Sequence, residues 1–129
     1  MGTRSLTVFT DEDDKEIAVL YRQSGGHPEA HGQDLLNFYK GKKLCNGIGT
    51  GCSLETYFNG MGCLTAATIA HFKKNIGNFY LHRARTRDVG EEYVYTVACD
   101  ETGNIGVSCW DVYGKKLSFC YVGGKLAKA

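Results

Sequence analysis

The sequence has one proline in 129 residues and no apolar run longer than a few residues. A membrane-spanning helix needs roughly 20 apolar residues in succession, and a signal peptide needs a continuous apolar core, so neither is expected. The protein is therefore expected in the cytoplasm, with no membrane partner. Scarce proline, 43% hydrophobic and 22% charged residues exclude proline-rich linkers and the composition of a disordered chain. Met1-Gly2 opens like an acylation signal, but Leu6 stands where a hydroxyl is required, and no lipid anchor is expected. The six cysteines form no Cys-x-x-Cys pair and have no histidine at zinc-finger spacing. No metal and no other cofactor is expected, and the thiols read as small buried apolar groups. Gly47, Gly49 and Gly51 superficially resemble a phosphate loop, but no Gly-Lys-Ser/Thr completes it.

What is present fits one compact domain over residues 1–129, long enough to bury a single core. The net charge of +1 hides a strong segregation. Residues 11–16 hold five acids and one base; residues 40–87 hold eight bases and only Glu55; residues 88–111 hold six acids and no base. A field banded in this way favours a specific anionic ligand over coating a long nucleic acid.

Two β-branched and aromatic runs, Leu6 to Thr10 and Ile17 to Gln23, predict an opening hairpin whose turn the acids solvate. Pro28 suits the first position of a helix over about 28–40, ended by Gly41. The glycine-rich stretch 41–62, containing Asn46-Gly47-Ile48-Gly49 and Asn59-Gly60-Met61-Gly62, reads as loop. A second helix follows over about 61–74, with Cys63, Ala66, Ala67 and Ala70 as a small-residue stripe suited to close packing on a sheet. Four strands are expected after it: Asn78 to Arg85, Glu91 to Cys99, Ile105 to Tyr113 and Leu117 to Val122. The class is α+β, a mainly antiparallel sheet of about six strands with two helices inserted after the first hairpin.

Asn59, Gly60, Met61 and Gly62 lead straight into a helix, whose free N–H groups and positive dipole end can receive a phosphate or carboxylate. The alternative is an Asn cap with glycines that allow tight packing. Arg83, Arg85 and Arg87 alternate along a strand and should emerge from one face with Phe79 and Leu81, leaving Tyr80 and His82 on the other. Cations beside rings suit a stacked base and its phosphates; the plainer alternative pairs these arginines with Asp88, Glu91 and Glu92. His27 falls at a helix cap, and His31 shares a stripe with Leu35 and Phe38, which makes it a core histidine or a general base. Asp111 sits either at a sheet margin or beside a cationic partner.

The segments Tyr21-Arg22-Gln23-Ser24-Gly25-Gly26-His27-Pro28-Glu29-Ala30-His31-Gly32, Asn59-Gly60-Met61-Gly62-Cys63-Leu64-Thr65-Ala66 and Gly90-Glu91-Glu92-Tyr93-Val94-Tyr95 resemble a family of small proteins from bacteria and their phages. The resemblance implies no activity.

The residues point to a noncatalytic binding protein for a small, phosphate-bearing, nucleotide-type ligand, such as a phage-encoded sponge for a nucleotide immune signal. Asn59, Gly60, Met61, Gly62, Tyr80, His82, Arg83, Arg85 and Arg87 are the expected ligand-binding residues, with no catalytic residue assigned. Two other classes stay open. One is a phosphoesterase using His31 or His27 with Asp34 or Asp111; the other is a protein-interaction module whose charge bands form a homo-oligomer interface.

Overall fold

The computed structural model describes residues 2–45, 56–122 and 125–127, with the backbone alone described from residue 117 onward. Gly47, Gly49 and Gly51 lie outside the described residues. The hairpin forms from β1 (Ser5–Thr10) and β2 (Glu16–Arg22). A five-residue π-helical turn, Pro28–Gly32, runs into α1 (Gln33–Tyr39). Two three-residue strands, β3 (Lys43–Cys45) and β4 (Tyr57–Asn59), precede α2 (Gly60–Phe72). The chain continues through β5 (Phe79–Arg83), β6 (Tyr93–Cys99), β7 (Ile105–Asp111), β8 (Lys116–Val122) and β9 (Lys125–Ala127).

The fold is α+β. Among the described residues seven strands form the main sheet in the order β5-β2-β1-β6-β7-β8-β9, and β3 pairs with β4 in a second, two-stranded sheet. Every pairing in the main sheet is antiparallel except β1 with β6, where Ser5 to Phe9 run alongside Tyr93 to Val97. β1 is an interior strand, paired on both edges, and all six of its residues are buried, which fits its run of alternating hydroxyl and apolar side chains. Ser5, Thr7 and Phe9 face one side; Leu6 and Val8 face the other. The main core fills the first side, where Phe9, Leu20, Tyr95 and Val97 meet Leu35 and Tyr39 of α1 and Met61 and Leu64 of α2. A smaller cluster of Leu6, Val8 and Val19, backed by Tyr21 and Val94, occupies the second.

Four local expectations are corrected. The loop expected over 41–62 contains β3 and β4, which are held to the body by a hydrogen bond from Leu44 N–H to the Gly103 carbonyl. The small-residue stripe of α2 does not face the sheet: Cys63, Ala66 and Ala70 are exposed, while Met61, Leu64, Thr65 and Thr68 are buried at helical spacing. Thr65 and Thr68 enter the core at little cost because their hydroxyls donate to the Met61 and Leu64 carbonyls of their own helix. Asn59 provides no side-chain cap for α2. Finally, β5 stops at Arg83, and Arg85 lies beyond it at φ 73°, so the three arginines do not alternate along one strand face.

Among the described residues no helix is long and apolar enough to cross a membrane.

Candidate functional site

The acidic β1–β2 turn does more than solvate itself. Asp11 closes it, accepting the N–H groups of Asp13 and Lys15 at 2.8 and 3.0 Å. Glu12 leaves the turn and accepts the Met61 N–H at 2.7 Å, so the first anion at the start of α2 is the protein's own carboxylate. Gly60 is suited to this approach: its φ is 82°, and a Cβ there would stand 3.0 Å from Glu12 Oε2. The adjoining cleft, ≈ 620 Å³, is lined by Asn59, Gly60, Met61 and Gly62 but also by Glu12, Asp100 and Glu101. It contains none of the β5 residues, so the helix start and the arginine strand belong to different surfaces.

Glu16, at the other end of the same turn, takes the second cationic element. Its carboxylate accepts the Arg85 backbone N–H at 2.7 Å and two bonds from the Arg87 guanidinium at 3.2 and 2.9 Å. Partial burial pulls its pKa up, but the bonds from Arg87 and Arg85, with their charges, outweigh this and hold it below the usual glutamate value. For Arg87, the plainer pairing with Asp88, Glu91 or Glu92 is therefore replaced by pairing with Glu16. Glu91 instead accepts the N–H groups of Asp88 and Val89, closing the turn that follows.

Arg83 and Arg85 are exposed, and neither guanidinium makes an ion pair among the described residues. β5 is an edge strand, and its register sets Tyr80 opposite Tyr21 and His82 opposite Val19. The Tyr21 ring lies 6.0 Å from Tyr80 and 5.9 Å, edge-on, from His82. Tyr80 is 46% exposed, and Lys73 Nζ sits 5.6 Å from its ring centroid while donating to the Gly77 and Phe79 carbonyls. The edge thus carries an aromatic platform with one lysine against it and two arginines beyond it.

His31 has a different setting. Its ring is fully buried between Phe72 and Tyr95, with centroids at 5.0 and 4.9 Å. A guanidinium only donates, so Arg22 gives its bond to His31 Nδ1 at 3.0 Å, which leaves the proton on Nε2 to be donated to Thr7 Oγ1 at 2.7 Å. Burial, reinforced by the Arg22 charge, lowers its pKa to about 3. Arg22 also reaches Asp34 at 3.3 Å and the Ser24 carbonyl at 2.8 Å, and lies over the Phe79 ring. The resulting line Asp34–Arg22–His31–Thr7 ties both the π-helical turn and α1 to the sheet. His31 is the core histidine of the two alternatives, and no substrate atom reaches its ring while this packing holds. His27 stands before the π-helical turn in extended conformation with no capping bond. Asp111, at the end of β7, accepts the Tyr113 N–H at 2.8 Å, the sheet-margin alternative.

Sequence reading missed Glu12 and Glu16 as internal partners. Their local signal, a run of acids at a turn, is the same whether those acids face water or distant N–H groups.

Compared with protein-family models, with curated proteins and with solved structures, the chain finds no match.

Proposed function

We propose that the chain is a noncatalytic binding protein for a small phosphate-bearing ligand of nucleotide type, received on the outer edge of β5. The observation that carries this reading is that the edge strand β5 carries half-exposed Tyr80, backed by Tyr21 and Lys73, and ends in Arg83 with Arg85 just beyond, two arginines that have no ion-pair partner among the described residues. A ring accepts a base by stacking, and guanidinium groups bind phosphate through paired, charge-assisted hydrogen bonds. His82 adds a donor beside the ring. The start of α2 is the weaker half of the expected site, because a ligand phosphate there would have to displace Glu12 in a cleft that also holds Asp100 and Glu101. The resemblance to bacterial and phage proteins supplies a setting, in which a phage protein sequesters a nucleotide signal of host defence.

Calorimetry with mononucleotides, cyclic dinucleotides and inorganic phosphate tests the reading. Wild-type protein is expected to bind a nucleotide and to return it chemically unchanged on denaturation, and Arg83→Ala with Arg85→Ala to weaken binding at least tenfold while the fold is retained. Indifference of the wild type to the whole panel would overturn it, as would multiple-turnover conversion of the ligand.

A further inference from the structure

The acids of residues 88–111 take no part in the β5 surface. Three of them, Asp88, Glu91 and Asp111, line a second cleft of ≈ 730 Å³, within the size range of small-molecule sites. Its apolar wall is Trp110, the chain's one tryptophan, left 44% exposed. The Trp110 position faces the helix-free side of the sheet, opposite Val94 on β6 and Leu117 on β8. The facing wall is a fixed turn. Glu91 accepts the N–H groups of Asp88 and Val89 at 3.0 and 2.8 Å, and Asp88 and Gly90 hold φ of 59° and 92°. The Asp88 carboxylate makes no hydrogen bond or ion pair among the described residues. Two positive groups moderate the cleft: Lys115 on its rim, and Arg4, whose guanidinium would lie 3.1 Å from a Cβ at Gly90. Lys116 also stands opposite Asp111 across β7 and β8, outside the lining; the lining itself, three carboxylates with Lys115, is acidic.

A half-exposed indole beside carboxylates is the chemistry that holds an organic cation. The ring face attracts the positive charge, and the carboxylates accept its N–H groups or neutralise it. A guanidinium or alkylammonium gives up its hydration more readily than a compact metal ion and matches an apolar wall better. The geometry points to the Trp110 cleft as a binding site for a small organic cation of the guanidinium or alkylammonium class. The site is separate from the β5 edge and opposite to it in charge preference.

Because Trp110 is the sole tryptophan, its fluorescence reports this cleft directly. Titration with agmatine and with choline at constant ionic strength is expected to give a saturable change, while sodium chloride and 3,3-dimethyl-1-butanol, the neutral isostere of choline, give none. Asp88→Asn keeps a residue that tolerates positive φ and removes the charge; it should weaken binding by roughly three- to tenfold. Trp110→Leu, followed by calorimetry, should weaken it at least fivefold. The proposal is overturned by an equal response to the neutral isostere, by no saturation below about 50 mM cation, or by unchanged affinity in folded Asp88→Asn protein.

Discussion

Glu16 and Arg87 meet across 71 positions of sequence through two hydrogen bonds, 2.9 and 3.2 Å long, and the same carboxylate holds the Arg85 N–H. This one side chain fastens the exit of β5 to the hairpin. Arg87→Ala removes a partly exposed ion pair and should cost no more than about 1 kcal/mol, whereas Glu16→Ala also frees a backbone donor and should cost about 1–2 kcal/mol. Urea denaturation of the two variants and their double mutant checks the ranking; equal costs would mean that the Arg85 contact contributes nothing.

Acidification should loosen the fold in two stages. His31 is neutral in the folded protein down to about pH 3 but protonates near 6.5 once unfolded, so the unfolded state binds more protons below 6.5 and stability falls from there toward pH 3. Between pH 7.5 and 5 this linkage removes roughly 2 kcal/mol. His31→Gln should be less stable than wild type at pH 7.5 yet show a flatter slope over that range in denaturant melts. Glu16, with its folded pKa lowered from 4.5, contributes stability above that value which is lost as pH falls through its folded pKa, and Glu16→Gln should lose less there.

Gly26 is packed where no side chain fits. A Cβ would stand 2.7 Å from Ser5 Cβ and 2.9 Å from Ser5 N, while the Gly26 N–H donates to the Thr3 carbonyl and its carbonyl accepts the Tyr95 hydroxyl. Gly26→Ala is expected to destabilise by about 2–4 kcal/mol through overpacking. Adding Ser5→Gly should restore part of the loss in thermal melts, and no restoration would place the strain elsewhere.

Lys73 guards the open edge of the sheet by donating to the Gly77 and Phe79 carbonyls. Removing it exposes edge carbonyls beside Leu81, which is 63% exposed, and edge strands of this kind recruit one another. Lys73→Ala is expected to self-associate at concentrations where wild type does not, read by light scattering. Lys73→Arg should behave as wild type.

Strands and helices were legible where their signals are local. Pro28 fixes the entry to the first helical segment, and alternating apolar residues mark β6 and β7, where Tyr95, Val97, Ile105, Val107 and Cys109 are all buried. β3 and β4 are too short for a period to develop and exist through their pairing with one another and with Gly103. Arg85 gives no local sign of its left-handed backbone, because neither its neighbours nor its own type requires it; the Glu16 carboxylate that holds its N–H is remote in sequence. For the candidate site, the aromatic and cationic residues of β5 could be read directly. That its first arginine ends a strand, and that its last is held by a turn of the hairpin, depends on strand order, which local patterns do not encode.

The parallel pairing of β1 with β6 governs how the chain can assemble. β1 is synthesised before both of its partners: its second edge waits for residues 93–97, while β2 can close on it at once through a short turn. Non-local closure of this kind slows folding, because chain entropy is lost before the contacts form that compensate for it. A hairpin formed during synthesis has one edge of β1 bare until residues 93–97 emerge, and β5, which pairs with β2, is synthesised before that edge can be covered. The acids at the hairpin turn give such an early hairpin a charged end, which opposes its stacking on copies of itself before β6 is made.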